Sequence, residues 1–265
     1  MRSQLSESTS IEYDDVGQGK PIVLLHAFPL CRAMWRPQVA ALQSDLRVLV
    51  PDLRGFGGTS PFASTPSVEQ MADDILGLLD VLAIKQPVIL GGLSMGGYVA
   101  FAFARKYPSR LRALILADTR AEADSPEAKA NREVLIAFAE THTSRDVIDQ
   151  MLPRLIGQNT RTRCPEVEEE VRRLGAAQTP KGIVAALQAL RDRPNALSVL
   201  PSIQVPTLVL VGSEDALTPP SVSQTLAAGI RGARLKIVNG AGHLANLEQP
   251  EAFNEAMATF LKSLG

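Results

Sequence analysis

Along the chain, short runs of consecutive apolar residues alternate with longer stretches in which apolar residues return every three or four positions. Pro21–Ala27 (PIVLLHA), Arg47–Asp52 (RVLVPD), Pro87–Leu93 (PVILGGL), Leu111–Asp118 (LRALILAD), Pro206–Val211 (PTLVLV) and Arg234–Val238 (RLKIV) are the short runs. Runs of this length, edged by Pro, Gly or Asp, predict strands covered on both faces. Val68–Leu82 instead sets Met71, Ile75, Leu78, Leu79 and Leu82 on one helical face, with Asp73 and Asp74 on the wet side. Met95–Tyr107 predicts a small-residue helix able to lie close to a sheet, and Ala252–Leu264 predicts a closing helix. Glu12–Gly19, with Gly17 and Gly19, predicts a leading antiparallel hairpin. Strands linked by crossover helices predict an α/β fold, with a mostly parallel central sheet and helices on both faces.

The alternation stops between Ala121 and about Pro201, where only helical patterns remain: Val134–Phe138, Val147–Ile156, Val167–Leu174 and Ile183–Leu190. Pro153, Pro165, Pro180 and Pro194 punctuate them. A helical insertion between two strands of a parallel sheet reads as a lid. The expected organisation is a core of residues 1–120 and 201–265 with a helical cap at 121–200.

Composition narrows the function. The chain has 265 residues, 45% apolar and 21% charged, an ordinary globular balance. Its net charge is -1, and no basic stripe invites nucleic acid. Cys31 and Cys164 stand far apart in no CxxC pattern, which suits a reduced chain. Met1–Ser10 is polar, without the apolar core of a signal peptide, and no run approaches the ~20 apolar residues of a membrane span. A cytoplasmic location is the expectation. His26, His142 and His243 form no metal-ligand spacing, so no metal is expected; nor does a GxGxxG or phosphate-loop motif call for a cofactor.

The strongest chemical signal is Gly91-Gly92-Leu93-Ser94-Met95-Gly96-Gly97, between a predicted strand and a predicted helix. A sharp turn there lifts a serine hydroxyl above the sheet, and glycines remove side chains that would collide with it. A serine nucleophile needs a base. His243 stands in a glycine-rich loop after the last predicted strand, at the sheet end where such folds place functional groups. His142 reads as a surface residue of the insertion, and His26 as a hydrogen-bonded support for its loop. Two aspartates end strands and fit the Ser, acid, His chain order: Asp118 and Asp215. Asp215, in Gly212-Ser213-Glu214-Asp215 before a Pro-rich turn, is preferred as the residue orienting His243, and Asp118 reads as a structural cap where the lid begins. Oxyanion donors are expected from the backbone N–H groups of Met95 and of Phe28, in the loop after the first long strand.

The segments HAFPL, PDLRGFGGTS, GGLSMGGYVAFAFARKYP, LADTRAEADSPEAKANRE, PTLVLVGSEDALTPP and GAGHLANLEQPEAF resemble those of the α/β-hydrolase superfamily. The likeness is to its bacterial carboxylesterases, near arylesterases, cofactor-free haloperoxidases (perhydrolases) and enol-lactone hydrolases. The resemblance implies a cofactor-independent serine esterase for small, short-chain esters. It also implies that Asp52 and Arg54 pin the loop beside the site and that Met34 and Trp35 are packing residues. Ala27 departs from it, standing where the family usually has Gly, a strain if that position needs positive φ. The apolar lid patterns favour uncharged esters. A lactonase for acidic substrates would instead need a cation in the pocket, for which Arg120, Arg145, Arg154 and Arg163 are candidates. The same triad serves lactone hydrolysis and perhydrolysis, and a receptor that kept the fold without turnover is the reading from another class.

Overall fold

The structure is a computed structural model and describes residues 1–63 and 65–265. Eight strands form one sheet: β1 (Arg2–Ser6), β2 (Thr9–Val16), β3 (Lys20–Leu25), β4 (Leu46–Pro51), β5 (Val88–Leu93), β6 (Leu111–Ala117), β7 (Thr207–Gly212) and β8 (Arg234–Val238). Their order across the sheet is β1-β2-β4-β3-β5-β6-β7-β8. The first two are antiparallel to their neighbours and the remaining strands run parallel.

All six predicted strands are present, but the hairpin lies elsewhere. β1 pairs with β2 across Glu7-Ser8, while β4 sits between β2 and β3. Gly17 (φ 80°) and Gly19 (φ 105°) therefore turn the chain toward a strand two places away rather than close a hairpin. β8 also departs from expectation: it lies at the sheet edge, and its charged residues are exposed. Arg234 and Lys236 on that edge oppose pairing with another chain.

The buried strands alternate strictly between two cores. Val23 and Leu25 face one side with α2 (Val68–Val81) and α3 (Met95–Lys106). Ile22 and Leu24 face the other, with α1 (Arg36–Leu42) and the closing helix (Pro250–Lys262). Met34 and Trp35 are buried in the second core, where Trp35 lies 6.1 Å from the Phe253 ring. They are packing residues, as expected.

Between β6 and β7 run five helices: α4 (Pro126–Thr141), α5 (Ser144–Leu155), α6 (Gln158–Arg163), α7 (Pro165–Ala176) and α8 (Pro180–Arg191). Pro165 and Pro180 open α7 and α8, where a missing N–H leaves no bond unmade, but Pro153 lies inside α5. The short α6 has no apolar face to announce it in sequence. Val147, Ile148, Leu152, Leu174, Ile183 and Leu187 are all buried, so the apolar stripes of the insertion hold helices together. Two further helices, α9 (Pro220–Gly229) and α10 (Ala245–Glu248), flank β8, and Pro250–Lys262 is α11. Among the described residues, no helix is long and apolar enough to cross a membrane.

Candidate active site

The carboxyl ends of β5, β6 and β7, with the loop after β8, converge on one point. Ser94 stands between β5 and α3 with φ 52° and ψ -109°, a backbone conformation that L side chains rarely adopt. Its N–H donates to the Ala117 carbonyl at 2.9 Å, and its carbonyl accepts from Thr119 Oγ1 at 2.9 Å, so the neighbouring strand holds the turn in place. The flanking glycines are required by contact. A Cβ on Gly92 would sit 2.2 Å from the Gly96 carbonyl oxygen, and one on Gly96 would sit 2.2 Å from that of Leu25. No side chain fits either gap.

His243 Nε2 lies 2.8 Å from Ser94 Oγ, and His243 Nδ1 lies 2.8 Å from Asp215 Oδ2. An ionised carboxylate only accepts, so Nδ1 carries the proton and the bare Nε2 faces the serine hydroxyl. Asp215 is itself fixed: Oδ1 accepts from the N–H groups of Leu217 (2.8 Å) and Thr218 (2.9 Å), and Oδ2 from Thr218 Oγ1 (2.5 Å). Burial pushes its carboxyl upward, but His243 and the Thr218 donors outweigh that and hold it well below the usual carboxylate range.

Asp118 ends the adjacent strand at φ 44° and is fully buried. It does not cap the helical segment. Its Oδ1 accepts from the Gly212 N–H at 2.8 Å, tying β6 to the end of β7. Burial, and then the Asp215 carboxylate beside it, push its carboxyl well above the ordinary range. It does not contact His243.

Phe28 lines the same cavity as Ser94 and His243. Met95 opens α3, where a first-turn N–H has no intrahelical acceptor. The Phe28 N–H has no acceptor within the described residues either. Ala27 has no positive φ, so its Cβ brings none of the strain expected of a glycine position; it is buried, with its N–H on Met34 Sδ at 3.2 Å.

His26 supports its loop. Nε2 accepts from the Leu53 N–H at 2.9 Å, so Nδ1 bears the proton and donates to the Ala27 carbonyl at 3.0 Å. Complete burial lowers it to about 4, against a weaker opposing bond to Ala27. His142 is exposed at the end of α4, stacked on Phe138 at 3.8 Å. Asp52 and Arg54 both pin the neighbouring loop, but through separate partners. Asp52 accepts from the Arg32 N–H at 2.7 Å and from its guanidinium, while Arg54 pairs with Asp74 of α2. Cys31 and Cys164 are free thiols.

One residue escaped the sequence reading. Glu248 in α10 is buried and accepts from the N–H groups of Gly242 (2.9 Å), Leu244 (3.1 Å) and Gly157 (2.8 Å). It thus fixes the residues on either side of His243 and the C-terminal end of α5. Its only sequence signal is an acid inside the apolar run LANLE.

A cavity of about 470 Å³ opens over Ser94 and His243. Besides Phe28, Leu217, Thr218 and, ahead of α4, Asp124, its walls come from α4, α5 and α8, including Arg132, Gln150, Met151, Arg154 and Leu190. Arg120 and Arg154 line it; Arg145 and Arg163 do not.

A single-sheet α/β scaffold thus carries a strained serine at a strand-to-helix turn, hydrogen-bonded through an imidazole to an aspartate. The family described as alpha/beta hydrolase fold matches residues 20–250, and the chain belongs to it. A thermophilic esterase from Thermogutta terrifontis is 42% identical, with a TM-score of 0.94 over 97% of this chain and 94% of that one. An enol-lactonase from Burkholderia xenovorans is 31% identical, with a TM-score of 0.90 over 98% and 99%. The 3-oxoadipate enol-lactonase 2 of Acinetobacter baylyi is 29% identical over 97% of this chain and 95% of its own length.

Proposed function

We propose that this enzyme, a hydrolase of ester bonds, is a serine carboxylesterase for short-chain carboxylic esters that works through an acyl-enzyme. The observation that carries the reading is the unbroken line of hydrogen bonds from Ser94 through His243 to Asp215, at the floor of a cavity. In this reading Ser94 Oγ attacks the ester carbonyl as His243 Nε2 takes its proton. The N–H groups of Phe28 and Met95 hold the oxyanion, and His243 returns the proton to the departing alcohol. Water, deprotonated by His243, then attacks the acyl-enzyme and releases the acid and Ser94. Asp215 holds Nδ1–H and stabilises the transient imidazolium without taking the proton. Residues 121–200 serve as a lid, since α4, α5 and α8 supply most of the cavity wall.

The same steps open a lactone, with the alcohol remaining tethered to the acid. The test is turnover of p-nitrophenyl acetate, followed by treatment with a serine-directed phosphonate and peptide mapping. Turnover lost together with one phosphonyl group on Ser94 supports the proposal; turnover that survives full labelling of Ser94 refutes it. No turnover of esters or lactones by the folded chain before any phosphonate is added favours the receptor reading.

A further inference from the structure

The charges on the cavity wall do not balance. Arg132 is paired with Asp124, and Asp124 is also held by Arg193 at 2.7 Å from behind the wall. Asp124 is the one carboxylate on the lining among the described residues, and two guanidinium groups already match it. Arg120, two residues beyond Asp118, is half-buried and gives one N–H to the Leu217 carbonyl. No carboxylate among the described residues lies within ion-pair distance of it. Arg154, near the end of α5, has neither an ion pair nor a hydrogen bond among the described residues. By contrast, on the outer surface Arg145, Arg172, Arg173 and Arg191 each meet at least one carboxylate. Two cations without counter-ions thus face the space above Ser94, in a chain whose net charge is -1.

A half-buried guanidinium with most of its five donors unused is a poor choice for packing and a good one for an anion. Its planar fork matches a carboxylate bidentately, and a concave, low-dielectric wall focuses the field on an incoming ligand. We propose that Arg120 and Arg154 select esters that carry a negatively charged group, a carboxylate in particular, seated in the cavity with the ester carbonyl at Ser94. This rests on the ester-hydrolase reading of Ser94, and it replaces the sequence expectation of uncharged esters.

The experiment compares kcat/KM of the full chain for matched pairs. Monomethyl glutarate against methyl butyrate places the charge on the acyl side, and 3-acetoxypropanoate against propyl acetate places it on the alcohol side. At least one charged ester should exceed its neutral match by about tenfold, and only that rate should fall as ionic strength rises. The charged-to-neutral ratio should drop toward one in Arg154→Gln and in Arg120→Gln, the former at an exposed position where folding is not at stake. The side on which the advantage appears locates the anion. Both charged esters at or below their neutral matches would overturn the proposal, as would an advantage that survives in the double variant. Absence of turnover on all four esters, with Ser94 unreactive to phosphonate, removes the hydrolase reading beneath it, so the two failures are distinguishable.

Discussion

Asp118 and Asp215 follow neighbouring strands, yet only Asp215 reaches His243; Asp118 turns back to take the Gly212 N–H at the end of β7. The first is buried with one backbone donor on its Oδ1, and the second is surrounded by donors. Their carboxyls are pushed in opposite directions, Asp118 up and Asp215 down. One stays protonated where the other is ionised, which lets two carboxyls share a dry site.

Exchanging each for its amide separates the roles. Asp215→Asn should fold and lose kcat by ~10⁴-fold, because an amide favours the wrong imidazole tautomer. Asp118→Asn should keep kcat within a few-fold, since Asn reproduces a neutral Asp in shape and still accepts from Gly212. Its effect is on stability. Native Asp118 holds a proton that the unfolded chain releases above ~4, so wild-type stability declines as pH rises from there. The thermal midpoint of Asp118→Asn should therefore gain on wild type as pH increases. Large loss of kcat in Asp118→Asn with an active Asp215→Asn would reverse the assignment.

Ser94→Ala should abolish acylation and leave the residual ~10³–10⁴-fold rate over water that oxyanion donors and binding supply in Ser-His-Asp enzymes. Because Ser94 is held at positive φ, the same variant should also be no less stable by more than about 1 kcal/mol. Steady-state kinetics on purified protein and a thermal melt check both; near-normal kcat would dismiss the nucleophile.

Acid should silence the enzyme by a single proton. A protonated His243 has no lone pair for Ser94, so kcat/KM falls as pH falls. Asp215, held far below the carboxylate range, stays ionised through that fall and adds no second proton. The acid limb of log kcat/KM against pH should have unit slope. A slope of two contradicts the arrangement.

His26 links stability to pH in another window. Unfolded histidine titrates near ~6.5, whereas burial lowers His26 to about 4. The unfolded chain therefore takes up the proton first, and stability falls as pH drops from ~6.5 to about 4, by about 3 kcal/mol over the window. Denaturant midpoints across this range measure it. His26→Asn should be less stable at neutral pH, having lost the acceptor for the Leu53 N–H, yet show a shallower acid slope. An unchanged slope would mean that other groups account for the loss.

The parallel core of this enzyme and its Ser94, Asp215 and His243 were legible in the sequence because both follow from local rules. Short apolar runs specify buried strands, and a serine between close-packed glycines at a strand end permits only a tight turn. The choice between Asp118 and Asp215 was tilted by loop chemistry but became a geometric fact only when β6 and β7 lay side by side. Sheet order was likewise beyond sequence: Gly17 and Gly19 signal a turn, and a local signal says nothing about which strand inserts next to β2. Glu248 and the unpaired Arg120 and Arg154 depended wholly on tertiary structure. A charge on a helix reads the same whether it faces solvent, a partner or a cavity, and only packing decides which.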